Sequence, residues 1–254
     1  TWGYCIEYGN RVSEIVSDRI DKPVLNMGKA SFGIDQICMT IMGRMKKYNP
    51  KIIIIEQYAT AIVRILNHNM GHYVKPYFKL DSNKNLKLVK TPKIVRYKNF
   101  RMIHSAILSY KKELKEFRSG INIIDDYNLM KDPIFYLWKT SHYDYMYRLL
   151  DSILLVLKSY CDENHIKLLF VLGTNHQQFI ETEKSELVDY NLPKTKIKSI
   201  LDCHDINYTD SKEELLKAHS KNNTVIFDDG HLNNKGNQVF ASVILSKLNK
   251  LNWL

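Results

Sequence analysis

Four consecutive isoleucines, Ile52 to Ile55, followed by Glu56 and Gln57, constrain the fold more than any other stretch of the chain. β-Branched side chains are stiff at χ1 and the run is short, so it reads as a strand buried on both faces. Such a strand needs cover from two sides, and the flanking sequence supplies it. Val12, Ile15, Val16 and Ile20 recur at helical spacing, and Lys22-Pro23 stops that helix before Val24 to Met27, which reads as a short buried strand. A second helix is expected over Gly33 to Tyr48, with Ile34, Ile37, Cys38, Ile41 and Met42 on one face. Helix, strand, helix, strand is the rhythm of a mainly parallel sheet covered by helices.

The rhythm breaks at Tyr73 to Leu80 and Leu86 to Val89, two alternating runs around the polar turn Asp81 to Asn85. They read as a β-hairpin inserted on the rim of the sheet, about 73–90, with Pro76 marking its first strand as an edge. Helical patterns return at about Lys98 to Arg118 and Tyr143 to Glu163, and His165 to Leu172 is a further strand. Helices near Lys194 to Cys203, Ser211 to His219 and Asn233 to Leu248, with an extended piece at Tyr208, complete the expectation. A chain of 254 residues with 10 Gly and 6 Pro, and no stretch biased enough for a linker, is expected to form one domain over 1–254.

The formal charge of +10 is spread along the chain and not gathered in a block. No zinc-finger spacing or aromatic-basic strand signature accompanies it, so no nucleic-acid partner is expected. The four cysteines, Cys5, Cys38, Cys161 and Cys203, include no C-x-x-C pair, which suggests neither a zinc site nor a disulfide framework. Reduced, mostly buried thiols lean toward a cytoplasmic setting. No apolar run approaches the roughly 18 residues that span a bilayer.

The chemistry-bearing stretch lies near the end: Val225-Ile226-Phe227, then Asp228-Asp229-Gly230-His231-Leu232-Asn233, then a helix containing Gly236. An acidic pair just before a histidine, on a loop between a strand-like run and a helix, delivers a base and its orienting carboxylate together. That pattern points to hydrolysis or acyl transfer, with Asp228 and Asp229 both candidates to meet the ring. In open parallel sheets the functional loops lie at the carboxyl ends of strands, where helix N-termini converge. The rule selects Thr1 to Tyr4, the loop after Asn26, the loop after Gln57, and Asp228 to Leu232.

Met27-Gly28-Lys29-Ala30-Ser31-Phe32-Gly33-Ile34-Asp35-Gln36 and Asp228 to Asn233 with Gly236 resemble the second and last blocks of the SGNH (GDSL-type) hydrolases. Thr1-Trp2-Gly3-Tyr4 is similar to the residues just after that family's Gly-Asp-Ser block, so the resemblance covers most of the chain in order. It implies a three-layer, flavodoxin-like α/β fold and a Ser-His-Asp mechanism on an ester, with esterase, deacetylase, lipase and O-acetyltransferase activities in the family. His231 would be the general base and Asp228 its orienter. Ser31, where the family has glycine, would offer its backbone N–H to the oxyanion. Glu56-Gln57-Tyr58-Ala59-Thr60 replaces the third block, leaving Thr60 as a hydroxyl donor in place of an asparagine. The nucleophilic serine, with the first strand, would fall just before Thr1, so a longer polypeptide is expected. An O-acylated small molecule or carbohydrate is the implied substrate, and no metal or organic cofactor is required. A catalytically degenerate domain that binds a carbohydrate or protein is the alternative.

Other clusters read as structure. Thr140-Ser141-His142-Tyr143-Asp144 reads as a helix start, with Ser141 a candidate cap; His68 and His72 fall in a loop; Phe135 to Trp138 is core packing. Gly173-Thr174-Asn175-His176-Gln177 follows a strand and is expected to line the cleft. Thr1 and Ser31 are weaker candidates for a nucleophile within the chain.

Overall fold

The structure, a computed structural model, describes residues 6–67, 69–70, 73–90, 141–174, 189–222, 227–228 and 231–254. A 3-10 turn leads into α1 (Val12–Ile20), which ends as Asp21 takes a left-handed φ of 50°. Helix α2 (Ile34–Arg44) precedes β1 (Ile52–Tyr58) and a 3-10 helix, Ala59–Leu66. The short strands β2 (Asn69–Met70) and β3 (Tyr73–Val74) pair with each other, and β4 (Tyr77–Leu80) pairs with β5 (Leu86–Val89), both antiparallel. Then come α3 (Ser141–Glu163), β6 (Lys167–Gly173), α4 (Leu192–Cys203), β7 (Asn207–Asp210) and α5 (Lys212–Asn222). The strands β8 (Phe227–Asp228) and β9 (His231–Leu232) and the helix α6 (Asn234–Lys250) close the chain.

Strands β1, β6 and β7 form a parallel sheet in that order, with Ile52 opposite Lys167 and Leu169 opposite Asn207. The isoleucine run is therefore a strand, and its two faces are covered separately. Ile53 and Ile55 join Leu168, Phe170 and Leu172 of β6 in a core with α2, α3 and α4. Ile52 and Ile54 face the other way, beside Leu169 and Val171, against α1, α5 and α6. The fold is α/β, a mainly parallel sheet between two helical layers. Every residue from Leu168 to Leu172 is buried, and burying such a side chain contributes about 1.5–3 kcal/mol.

Two expectations change. Val24 to Met27 belongs to no strand, and Leu25 and Met27 are exposed. An apolar tetrapeptide has strand propensity, but a strand exists only with a hydrogen-bonding neighbour, and none pairs with it among the described residues. Here Asn26 organises the segment instead, its amide donating to Ser13 Oγ of α1 (2.9 Å) and its carbonyl accepting the Gly28 N–H (2.9 Å). The expected first strand of the hairpin, Tyr73 to Leu80, is split at Lys75-Pro76 into β3 and β4 with different partners. Lys75 turns inward at this break and is buried, which an alternating strand at the rim would not allow.

The polar turn is as expected: Asp81 Oδ1 accepts the Asn83 and Asn85 N–H groups, both at 2.9 Å, and Lys84 takes φ 63°. The hairpin seats on α3 through Phe78, Leu80 and Leu86, and Leu80 N–H donates to the Tyr145 hydroxyl at 3.3 Å. The expected helix at 98–118, Thr1 to Cys5, Phe135 to Trp138, His68, His72, Asn175 to Gln177 and Asp229 lie outside the described residues.

Candidate active site

Four residues were expected to carry the chemistry, and the structure places them on two pairs of neighbouring segments. Asp228 and His231 stand directly opposite each other in the antiparallel β8–β9 register. His231 is exposed, whereas the next residue, Leu232, is anchored in the core beneath. Asn233 then caps α6, its Oδ1 accepting the Gly236 N–H at 3.1 Å. A cap of this kind typically contributes about 1 kcal/mol, so the strand that carries the histidine runs directly into a firmly started helix.

Ser31 and Thr60 belong to the second pair. Ser31 is the third residue of a turn closed by the Phe32 N–H to Lys29 C=O bond (3.4 Å), and its φ is 64°. This left-handed position is where glycine is favoured, and a non-glycine residue there costs roughly 1–2 kcal/mol. Thr60 lies two residues beyond the carboxyl end of β1, in the first turn of the 3-10 helix. The two segments touch. Arg64, on that 3-10 helix, donates from Nη1 to Phe32 C=O at 3.4 Å, and a Cβ on Gly33 would come within 3.2 Å of Arg64 Cβ.

Helix α1 is the shared neighbour of the two pairs. Asn26 ties it to the approach to Ser31, while Asn237 of α6 donates to Asn10 C=O at 2.9 Å and Arg19 donates to Ser242 Oγ at 2.7 Å.

Three residues that sequence reasoning did not single out form a charged knot beside Ser31. Lys75 Nζ donates to Asp35 Oδ2 and to Arg64 C=O, each at 2.7 Å, and the Lys75 and Asp35 side chains are almost wholly inaccessible. Burial raises the Asp35 carboxyl above its ordinary value against the pull of the Lys75 ammonium, and burial lowers Lys75 against the pull of Asp35. Asp35 Oδ1 has no hydrogen-bond partner among the described residues. Nothing in the local sequence pattern pointed to this pair, since forty positions separate its members.

A second knot lies at the carboxyl ends of β6 and β7. Lys194 Nζ donates to Asp210 Oδ1 (2.7 Å) and Thr174 Oγ1 (2.8 Å), Lys198 pairs with Asp210 Oδ2 (2.9 Å), and the Lys212 N–H reaches Asp210 Oδ1 (3.0 Å). Burial disfavours the Asp210 carboxylate, but the lysines and that N–H outweigh it and hold its pKa below the usual value. Thr174, expected to line the cleft, is buried and committed to Lys194. Gly173 beside it leaves room for the Tyr58 ring, whose Cδ1 would lie 2.9 Å from an added Cβ. Burial, followed by the charge of Glu56, pushes the Tyr58 phenol up.

No family model matches the sequence, and no curated protein matches it either. A solved structure described as an acetyl xylan esterase, AlAXEase, superposes on 97% of this chain and 94% of its own, with a TM-score of 0.53 and 12% sequence identity. At that identity the likeness is one of fold, and it extends over nearly the whole length of both chains.

Proposed function

We propose that this domain is a serine esterase of the SGNH type, acting on O-acetyl or other short O-acyl groups, with carbohydrate esters the favoured class. The observation that carries this reading is the pairing of Asp228 with His231 in the β8–β9 register. The left-handed φ of Ser31, at the position where the family places glycine, supports it independently. The likeness of 97% of the chain to an acetyl xylan esterase supports the esterase reading at the level of fold.

In this reading a serine from the polypeptide preceding Thr1 attacks the acyl carbon, and His231 takes its proton while Asp228 orients the imidazole. The negative charge that develops on the carbonyl oxygen is met by the Ser31 N–H and the Thr60 hydroxyl. Collapse expels the alcohol with the proton from His231, and water, or an acceptor hydroxyl in a transferase, releases the acyl group.

The test is hydrolysis of p-nitrophenyl acetate and of acetylated xylan by the polypeptide with its native upstream sequence, beside His231→Ala. Turnover is expected to fall on the order of a million-fold in the variant. Equal, near-background rates on both substrates would sink the esterase reading. The second reading, a binding domain without turnover, would then stand. It is favoured by Thr60 at the position of an asparagine donor, a loss typically costing about 100- to 1,000-fold in rate.

A further inference from the structure

Lys75 leaves the rim between β3 and β4 and buries its ammonium where three otherwise separate segments meet. One bond goes to Asp35, in the first turn of α2 and four residues beyond Ser31. The other goes to the carbonyl of Arg64, on the 3-10 helix that begins beside Thr60. Arg64 reaches back to Phe32 C=O, and its backbone and Cβ press on Gly33, where an added Cβ would also meet Asp35 Oδ1 at 2.5 Å. The loop from Ser31 to Asp35 is thus held from both sides, and the holder on each side is fastened to the same ammonium.

A buried ion pair of this kind is a poor source of stability, because desolvation of both ions offsets their attraction. What it supplies that an apolar pair cannot is direction: two short bonds at fixed angles from one nitrogen. The segment fixed in this way includes a residue in a backbone region that persists only where its surroundings over-determine it. The Ser31 N–H donates to no acceptor among the described residues, and Ser31 is exposed.

Resting on the esterase reading above, we propose that Lys75 is a positioning residue for catalysis. Through Asp35 and Arg64 it fixes the Ser31 turn relative to the 3-10 helix that carries Thr60. Lys75 touches no substrate and takes no part in proton transfer. The rim insertion, seated on α3 through its hairpin, is the arm that delivers it.

The experiment compares kcat and KM for p-nitrophenyl acetate in the polypeptide with its native upstream sequence and in Lys75→Met, Lys75→Met/Asp35→Leu and Lys75→Met/Ser31→Gly. The Lys75→Met/Asp35→Leu variant removes the stranded carboxylate and so preserves folding where Lys75→Met alone fails, with thermal unfolding as the check. Positioning predicts that turnover falls by about 10- to 100-fold in both, with KM within about threefold. It further predicts that kcat recovers several-fold when glycine, which adopts the left-handed conformation freely, replaces Ser31. Full kcat in the folded Lys75→Met/Asp35→Leu variant would overturn the proposal and leave the pair a packing feature. A parent polypeptide without His231-dependent turnover would instead remove the esterase reading itself, and the positioning role with it.

Discussion

Two lysines, Lys75 and Lys194, are buried in this fold beside an aspartate, and they differ in how completely their partners are satisfied. Asp210 accepts bonds from two ammonium groups and one backbone N–H, keeps a fifth of its side chain exposed, and lies where β6 and β7 end. Asp35 is sealed from solvent, accepts from Lys75 through one oxygen, and leaves the other without a hydrogen-bond partner among the described residues. A fully bonded buried network rigidifies a core, whereas a half-bonded one carries a desolvation cost that its bonds return only in part. The Lys194 knot fastens strand ends that the sheet already aligns. The Lys75 knot fastens a turn, a 3-10 helix and a rim insertion that share no ladder.

Removing each ammonium gives the sharpest test of that contrast. Lys75→Met is expected to destabilise the fold by about 3–5 kcal/mol, since it strands a carboxylate in an apolar site. Lys194→Met is expected to cost about 1–3 kcal/mol, because Asp210 keeps Lys198, the Lys212 N–H and partial access to water. Urea unfolding of the two variants decides the matter, and equal losses would erase the distinction. Adding Asp35→Leu to Lys75→Met should recover most of its loss.

The sheet was far more legible in the sequence than these knots, for a physical reason. Ile52 to Ile55 and Leu168 to Leu172 announce themselves because burial on both faces demands an unbroken apolar run. Periodicity likewise located α1, α2, α3, α4 and α6 to within a few residues. Periodicity says nothing about partners, so Val24 to Met27 read as a strand although no neighbour pairs with it among the described residues. It also treats a lysine as a surface residue, so the split of the hairpin's first strand at Lys75 was invisible. At the candidate site Asp228 and His231 stood out by residue type alone, and the structure pairs them across β8 and β9. The left-handed Ser31 did not, since a serine carries no sign of the glycine-like conformation it adopts.

A smaller effect is expected from Gly33→Ala. Gly33 has φ −86°, so an alanine meets no backbone strain, and the cost comes from space alone. The new methyl would lie 2.5 Å from Asp35 Oδ1 and 3.2 Å from Arg64 Cβ. Both atoms belong to the Lys75 knot and cannot retreat independently, so a loss of about 1–3 kcal/mol is expected. The same substitution at Gly43, where an added Cβ meets nothing within 4 Å, removes a glycine from the last turn of α2 and should stabilise by up to roughly 0.5 kcal/mol. Thermal unfolding of the two variants should therefore move in opposite directions, and a tolerant Gly33→Ala would mean that the knot yields.

The finest test uses acid, where the two aspartates act with opposite sign. Asp210 titrates below its ordinary value of 3.8 in the folded protein, so the unfolded chain binds more protons as pH falls past that point. Its contribution to stability is complete above about pH 4 and is lost as pH falls through the lowered value. Asp35 titrates above 3.8, because burial outweighs the Lys75 ammonium, so here the folded state binds more protons over the window upward from 3.8. Stability contributed by Asp35 is therefore present at low pH and declines as pH rises through its raised value. Asp210→Asn should flatten the loss of stability below pH 4, and Asp35→Asn should remove a decline that begins above it. Unfolding free energies measured at intervals between pH 3 and 7 separate the two slopes. A common sign for both variants would mean that the Lys75 ammonium overcomes burial at Asp35, making the two knots electrostatically alike despite their different bonding.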